Sequence, residues 1–354
     1  MTVVEAFLTL TRIGIGHRAG VLSDSVNWNE LLALSERQGL AAVLVDGIDK
    51  LPDSQKPPKN LLLQWIGEVL QNYEYRYELY RRAIVELARF YSEHGIKMMV
   101  LKGYACSLNW PKPEHRPCGD IDIWLFGKRK EADVLIAKEK GIKVDTSHHH
   151  HTVFYWRDFM VENHYDFVNR YRRSSAELEM VFKDLGNDDT HTVDVIGEKF
   201  YLPSTNLHAL FLIRHMVSHF ASSEINLRQV LDWAFFVEKH TKEIDWEWLL
   251  GILDKYHMRD FFNLINAICV DDLGFSADIF LEVSFLPGLK ERVLADILEP
   301  VYGTAEPASF IPRLIYKYRR WQGNAWKQKL CYSESRWESF WVGLWAHLLK
   351  PKSI

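Results

Sequence analysis

Hydrophobic residues recur every three or four positions along the beginning of the chain, which is the spacing of one face of an α-helix. The pattern predicts short helices over residues 3–12 and 29–38, the second with Asn27 as its N-cap. After a proline-rich break, the same spacing predicts one long helix over 60–94, closed by Gly95 in a left-handed conformation.

The pattern changes after this helix. Short apolar or alternating runs predict strands at 97–101, 120–126, 142–145, 152–156, 159–168 and 192–196, and helical spacing predicts helices at 103–109, 130–140 and 175–185. Helical spacing then dominates again, over 207–220, 227–240, 246–256, 260–269 and 336–349. We therefore expect an α/β (α+β) protein with a small mixed β-sheet core at 96–202, an N-terminal helical region at 1–95 and a C-terminal helical domain at 203–354.

Composition narrows the class of protein. The 354 residues are 47% hydrophobic and 25% charged, which is typical of a globular chain. A net charge of -4 argues against a protein that mainly coats nucleic acid. The chain has no signal-peptide pattern, no apolar run long enough for a membrane span and no CxxC pair among its four cysteines. A cytoplasmic protein with buried free thiols and no membrane partner is the expectation.

Two aspartates carry the main chemical signal. Asp120 and Asp122 are two residues apart on a predicted strand, so both carboxylates point to the same face. Carboxylates this close repel each other unless a cation lies between them, and Mg²⁺ or Mn²⁺ suits oxygen ligands. A solvated acidic strand end is the alternative interpretation of such a pair taken alone.

The preceding segment favours a phosphate ligand. Lys102 and Gly103 end a predicted strand, and glycine there lets the backbone approach a phosphate while the following helix offers N–H groups. Arg116 adds positive charge on the other side of the loop. A strand, a glycine turn, a helix and a strand with Asp-x-Asp, in that order, are the layout of the polymerase-β-like nucleotidyltransferases.

A more specific resemblance follows from these motifs. Lys102-Gly103, Pro111, Pro113, Arg116 and the run from Gly119 to Ile123 resemble the "KG…P…R…GDIDI" signature of a bacterial family of uncharacterised nucleotidyltransferases. Further similarity lies in Glu162 and His164 (a Glu-x-His strand), in His215 and His219, and in Leu227-Arg228 with Asp232-Trp233. The likeness covers about residues 95–240.

The resemblance implies a metal-dependent enzyme that moves a nucleoside monophosphate (NMP) group from a nucleoside triphosphate (NTP) to an acceptor hydroxyl. Asp120, Asp122 and Glu162 would be catalytic and hold Mg²⁺ or Mn²⁺, while Lys102, Gly103, Ser107 and Arg116 would bind the nucleotide. Asp166 and then Asp194 are the alternatives to Glu162 as the third acid. Tyr104 departs from the usual small residue after the glycine, which favours a second interpretation, a non-catalytic nucleotide-binding or interaction module that keeps the fold.

Other residues are assigned to the cleft or left open. The cleft candidates are His151, His164, Asp166, His215 and Arg228. The run His148 to His151 is interpreted as a polar loop rather than a transition-metal site, because alternate residues of a strand face opposite ways. His215 with His219, and Arg228 with Asp232, are spaced four apart on helices; one histidine is expected near the cleft, and the second pair to bond to each other or face the cleft.

The C-terminal tryptophans and the net charge bear on the partners of the protein. Trp337, Trp341, Trp345 and Leu348 form a helical stripe that suits a core or dimer contact better than a membrane surface. The negative net charge favours a small molecule or a protein over a long nucleic acid as the acceptor. The oligomeric state and the identity of the NTP are not encoded in any recognisable motif.

Overall fold

The computed structural model describes residues 1–17, 21–22, 26–169, 173–281, 286–303 and 307–333. The tryptophan stripe and the helix predicted at 336–349 lie outside the described residues. Within the described part, the helices are α1 (Val3–Gly14), α2 (Trp28–Arg37), α3 (Ala41–Asp49), α4 (Lys59–Val69), α5 (Arg76–Glu93), α6 (Lys102–Ser107), α7 (Arg129–Lys140), α8 (Arg173–Leu185), α9 (Thr205–Ser222), α10 (Leu227–His240), α11 (Trp246–Lys255), α12 (Arg259–Ala267), α13 (Leu289–Leu298), α14 (Phe310–Gly323) and α15 (Ala325–Cys331).

Six strands form one mixed sheet in the described residues. They are β1 (Met99–Val100), β2 (Ile121–Trp124), β3 (His151–Trp156), β4 (Phe159–His164), β5 (Thr192–Val195) and β6 (Glu198–Tyr201), in the spatial order β3-β4-β2-β1-β6-β5. The pairs β2–β4 and β1–β6 are parallel, and the other neighbours are antiparallel. The expected α/β (α+β) class, a small mixed sheet flanked by helices, is confirmed.

Local signals explain several element boundaries. The Asn27 side chain accepts a hydrogen bond from the Glu30 backbone and begins α2, as its position predicts. Gly141 ends α7 with φ of 66°, and Gly95 follows α5 with the same φ, so both adopt the left-handed conformation expected of a glycine after a helix. The hairpin β3–β4 turns at Arg157, whose φ is 54°.

Several elements differ from the sequence prediction. The predicted strand at 142–145 is wrong: within it, only Asp145 pairs, through an isolated bridge to Val153. The long helix at 60–94 is interrupted by a π-helical segment, Leu70–Tyr75, between α4 and α5. Helices α3, α13, α14 and α15 and strand β6 were not predicted. Helix α3 is short and largely apolar, which weakens its helical periodicity, and β6 has only four residues.

The buried residues form two hydrophobic clusters. One joins α5 and α7 to the sheet, and the other joins the first helices of the chain to α9–α13. Gln38, after α2, ties the second cluster together: its amide nitrogen donates to the carbonyl of Ile297 (2.9 Å) and its oxygen accepts from the Leu227 backbone (2.7 Å). The N-terminal helices are therefore held against the C-terminal ones.

No helix in the described ranges is long and apolar enough to cross a membrane. Of the four cysteines, Cys106, Cys269 and Cys331 are buried, Cys118 is half-buried, and all four are free thiols, as expected.

Candidate active site

A cavity of about 830 Å³ lies between the sheet and the helices α6, α9 and α10. Its size is within the range of small-molecule and cofactor sites. Its wall contains the acids Asp120, Asp122, Glu162, Glu224 and Asp232, the cations Arg37, Lys102, Arg116, Arg214 and Arg228, and the histidines 148–151, 164, 215 and 219. Most of the polar residues singled out by the sequence thus meet in one place.

The carboxylates come from two parallel strands. Asp122 on β2 lies directly opposite Glu162 on β4 in the parallel register, and Asp120 immediately precedes β2. Ile121 and Ile123 point into the core, so the alternation expected along this strand is observed. Glu162 is the third acid that the sheet brings to Asp122, a position that neither Asp166 nor Asp194 occupies.

The carboxylates of the site repel one another. Repulsion from Asp122, followed by burial, raises the pKa of Asp120 to about 6. Oxygen atoms of Asp122 and Glu162 and a nitrogen of His164 lie within 4.8 Å of one another. Three carboxylates with this mutual repulsion form a donor set that fits a hard divalent cation such as Mg²⁺ or Mn²⁺.

Two protein cations contact Asp122 directly. Lys102 Nζ lies 2.7 Å and His164 Nε2 lies 3.0 Å from Asp122 Oδ1. Burial alone would raise the pKa of Asp122, but Lys102 and His164 together hold it well below its ordinary value. In turn, burial lowers the pKa of His164 while its bonds to Asp122 and Glu162 raise it to about 9. Lys102 and His164 therefore supply the positive charge that the carboxylates require.

Gly103 interrupts the first turn of α6 and has a specific steric role. Its φ is 29° and its ψ is −95°, outside the helical region. A Cβ at this position would clash with the hydroxyl of Tyr80, and that hydroxyl donates to the carbonyl of Asp120 over 2.9 Å. The absence of a side chain at Gly103 thus lets Tyr80 fix the backbone beside the carboxylates.

Arg116 and Asp232 form a buried ion pair that was not predicted. Arg116 Nε and Nη2 donate to the two carboxylate oxygens of Asp232, over 2.7 and 2.9 Å, and Trp110 Nε1 donates to the same carboxylate. Two arrangements were expected for Arg228 and Asp232, a mutual pair or a position facing the cleft, and the second is observed, because both residues line the cavity. The Nε of Arg228 has no hydrogen-bond partner within the described residues.

Three sequence candidates lie away from the cavity wall. Ser107 is buried on α6, where its hydroxyl donates to the Tyr104 carbonyl (2.7 Å) and contacts the Tyr77 hydroxyl, so its expected phosphate contact is wrong. Asp166 accepts from Lys183 (2.7 Å) beyond the end of β4, so it is not in the cleft. Asp194 lies on β5, the far edge of the sheet, where it accepts from the Gly197 backbone.

The histidines are more concentrated than expected. His148 to His150 form a loop before β3, as interpreted from the sequence, and His151 begins the strand, but all four line the cavity. His215 and His219 on α9 both line it as well, with ring centroids 4.3 Å apart, where only one was expected near the cleft. Burial lowers the pKa of His151 to about 3 and that of His219 to about 4, so these imidazoles are neutral at physiological pH. Sequence spacing could not reveal this, because the residues meet only through the tertiary fold.

Comparison with known proteins agrees with the chemistry of the wall. The family model described as "Uncharacterised nucleotidyltransferase" matches residues 24–273. None of the curated proteins matches the chain significantly. A crystal structure of an antigenic nucleotidyltransferase-like protein from Paracoccidioides brasiliensis is similar over 56% of this chain and 95% of its own, with 13% identity and a TM-score of 0.37. A likeness this remote carries no information on substrate or acceptor.

Proposed function

The chain belongs to the uncharacterised nucleotidyltransferase family, and on that premise we propose that it is a metal-dependent enzyme that transfers an NMP group from an NTP to a hydroxyl of an acceptor. The observation that carries the proposal is the register of β2 and β4, which sets Asp122 against Glu162 beside Asp120 in the wall of the cavity. We retain the division into helical, α/β and helical parts at 1–95, 96–202 and 203–354 as part of this proposal.

The carboxylates have distinct tasks in the proposed reaction. Mg²⁺ or Mn²⁺ held by Asp120, Asp122 and Glu162 would neutralise the triphosphate. The acceptor oxygen attacks the α-phosphorus, a new P–O bond forms, and the bond to the β-phosphate breaks to release pyrophosphate. Glu162, 17% exposed at the cavity wall, is positioned to take the proton of the attacking hydroxyl.

The cations would bind the phosphates. Lys102 Nζ reaches Asp122 from the first residue of α6, so a divalent cation on Asp122 would leave the ammonium group to pair with a phosphate oxygen. Arg228 needs no such exchange, because its Nε has no partner in the described residues. Arg116 would act indirectly, since Asp232 occupies its donors. We therefore assign the direct phosphate contacts to Lys102, Gly103 and Arg228.

One observation favours a second function, a nucleotide-binding module without catalysis. The contact of Lys102 with Asp122 lets the protein balance this carboxylate with its own charge. Tyr104, buried after the glycine, cannot supply the small hydroxyl contact to a phosphate that the superfamily commonly uses. Such a module would bind NTP and metal and release no pyrophosphate.

The acceptor is proposed to be a small molecule or a protein. The net charge is -4, and the cations of the site are distributed around a cavity wall that also holds five acids. A long nucleic acid usually requires a continuous basic face.

The direct test incubates the protein with each α-labelled NTP, with Mg²⁺ or Mn²⁺, and with fractionated cell extract. We expect label in a small-molecule or protein fraction, stoichiometric pyrophosphate and loss of both with a chelator. Metal-dependent NTP binding with neither product would select the module instead. Label that enters only nucleic acid would contradict the proposed acceptor class.

A further inference from the structure

We propose that His150, His151 and His164, which we call the histidine wall, form with Glu162 a site for a divalent transition-metal ion of the Zn²⁺ and Co²⁺ class. The proposal goes beyond nucleotidyl transfer and does not depend on it, although the transition-metal ion would share Glu162 with the Mg²⁺ site. His164, which donates to Asp122 in the metal-free protein, would release that proton when the ion binds. The proposal concerns a second kind of metal chemistry in the same cavity, next to the oxygen ligands of Asp120 and Asp122.

The three histidines come from two neighbouring strands. His151 begins β3, His150 precedes it, and His164 ends β4 directly opposite His151 in the antiparallel register. One ring nitrogen from each lies within 4.8 Å of the others. Ligand nitrogens on one tetrahedral zinc ion lie about 3.4 Å apart, given Zn–N bonds of about 2.1 Å, so modest side-chain rotation closes the site.

Two buried ring nitrogens of the histidine wall are available to a ligand. Nδ1 of His150 and Nδ1 of His151 are buried without a hydrogen-bond partner in the described residues, and His151 is 7% exposed. A buried polar atom without a partner destabilises the protein by an amount comparable to a lost hydrogen bond. A metal ion bound by Nδ1 of His150 would supply the partner that neighbouring side chains do not.

Glu162 can complete the ligand set. One of its oxygens lies 3.7 Å from His151 Nε2, and the other lies 3.6 Å from His164 Nε2. Three imidazoles and one carboxylate suit borderline transition metals, whereas Mg²⁺ selects oxygen ligands almost exclusively. The negative charge of Glu162 also favours a cation at this position.

A second histidine pair in the cavity provides a matched control. His215 and His219 are adjacent on one face of α9, and burial keeps both neutral. Neither belongs to a three-ligand group within the described residues. This pair therefore has the same residue type, cavity and charge as His150 and His151, but no third nitrogen or carboxylate within ligand distance.

The test titrates chelator-treated, tag-free full-length protein with Co²⁺ and follows visible absorption, then adds Zn²⁺ or excess Mg²⁺. We expect one Co²⁺ per chain with the intense bands of a four- or five-coordinate ion, displaced by Zn²⁺ and not by Mg²⁺. H150N/H151N should weaken binding by about a hundredfold or more, since even loss of an indirect ligand contact costs about 10–100-fold. H215N/H219N should change it less than about twofold.

Wild-type protein that shows no Co²⁺ bands, or H150N/H151N protein that binds like the wild type, would overturn the proposal. Loss of binding in H215N/H219N alone would move the site to α9 and overturn it as well. A measurement on wild-type protein avoids any folding defect of the variants: Zn²⁺ should protect His150 and His151, and not His215 or His219, from diethylpyrocarbonate modification mapped by mass spectrometry. Equal modification with and without Zn²⁺ would contradict the assignment.

Discussion

Arg116 donates from two nitrogens to the two carboxylate oxygens of Asp232, although the residues are 116 positions apart in the chain. Both side chains are at least nine-tenths buried. The pair links the loop before β2 to α10, the helix that also presents Arg228 to the cavity. It therefore holds the two walls of the site at a fixed separation.

Replacing Asp232 alone should lower the free energy of unfolding more than replacing Arg116 and Asp232 together. Asp232→Ala leaves the Arg116 charge buried and unpaired, and we expect a loss of about 3–5 kcal/mol in the free energy of unfolding. The double variant R116M/D232A should lose less than the sum of the two single variants. Urea denaturation of the three variants measures the coupling, and strictly additive losses would contradict a direct ion pair.

Gly103 is expected to tolerate no side chain while Tyr80 keeps its hydroxyl. Gly103→Ala combines an unfavourable positive φ with a clash against that hydroxyl, and should lower stability by about 1–3 kcal/mol. G103A/Y80F should recover the steric part of this loss. Thermal and urea unfolding of G103A, Y80F and the double variant test this steric role. Equal stability of G103A and wild type would refute it.

Arg228 should stabilise the NTP complex and destabilise the free protein. Arg228→Gln removes a cation whose Nε has no partner in the described residues. We expect NTP binding to weaken by about 10–100-fold, the value of a charge-assisted hydrogen bond, and the free energy of unfolding to rise.

Arg214→Gln is the matched control for that experiment. Arg214 lines the same cavity, but its guanidinium donates to the Tyr332 hydroxyl over 2.9 Å. Its replacement should change the dissociation constant less than about threefold. Calorimetric titration with a non-hydrolysable NTP and Mg²⁺ compares the two, and equal effects would remove Arg228 from the phosphate site.

Glu179 should make stability fall as pH rises through the neutral range. Its buried carboxylate accepts from the Phe167 and Val168 backbones, with Asp166 and Lys183 as the nearby charges. Burial raises its pKa from 4.5 to about 7. The folded state therefore holds this proton more tightly than the unfolded state, and stability is lost between about pH 4.5 and pH 7, on the order of 3 kcal/mol.

Comparing wild type with a Glu179 variant shows whether this residue causes the pH dependence of stability. Glu179→Gln removes the titration while its amide oxygen can still accept from both backbone donors. We expect the difference in unfolding free energy between wild type and E179Q to change between pH 5 and pH 8 by about 2.5 kcal/mol. A difference curve that is flat over this range would show that Glu179 does not titrate there.

Local patterns were sufficient for much of the sheet and its carboxylates. Period-two alternation identified β2 and the β3–β4 hairpin, because strand faces and tight turns are encoded over a few residues. Asp120, Asp122 and Glu162 therefore meet as the alternation and the family resemblance implied. The same reasoning failed at 142–145, where apolar residues pack beside the sheet with only one bridge.

Contacts between distant segments had no local signal. Arg228 and Asp232 are four apart on α10, a spacing that left a mutual pair and a cleft position open, and it is the guanidinium of Arg116 that reaches Asp232 from another element. The phosphate role expected of Ser107 failed because its hydroxyl turns toward Tyr77 and Tyr104. Which polar groups share a cavity depends on how helices close over the sheet, and single-chain spacing does not contain that information.

The role of the carboxylates is tested most directly by NMP transfer from labelled NTP in Mg²⁺ by D120N, D122N and E162Q, with D194N as the control. Asp194 is an exposed acid on the far edge strand, so its change alters the protein's charge by the same amount outside the cavity. We expect the first three variants to lose transfer by about 10²–10³-fold or more while D194N keeps the wild-type rate. Transfer that continues unchanged in D120N and D122N would contradict the metal-dependent mechanism.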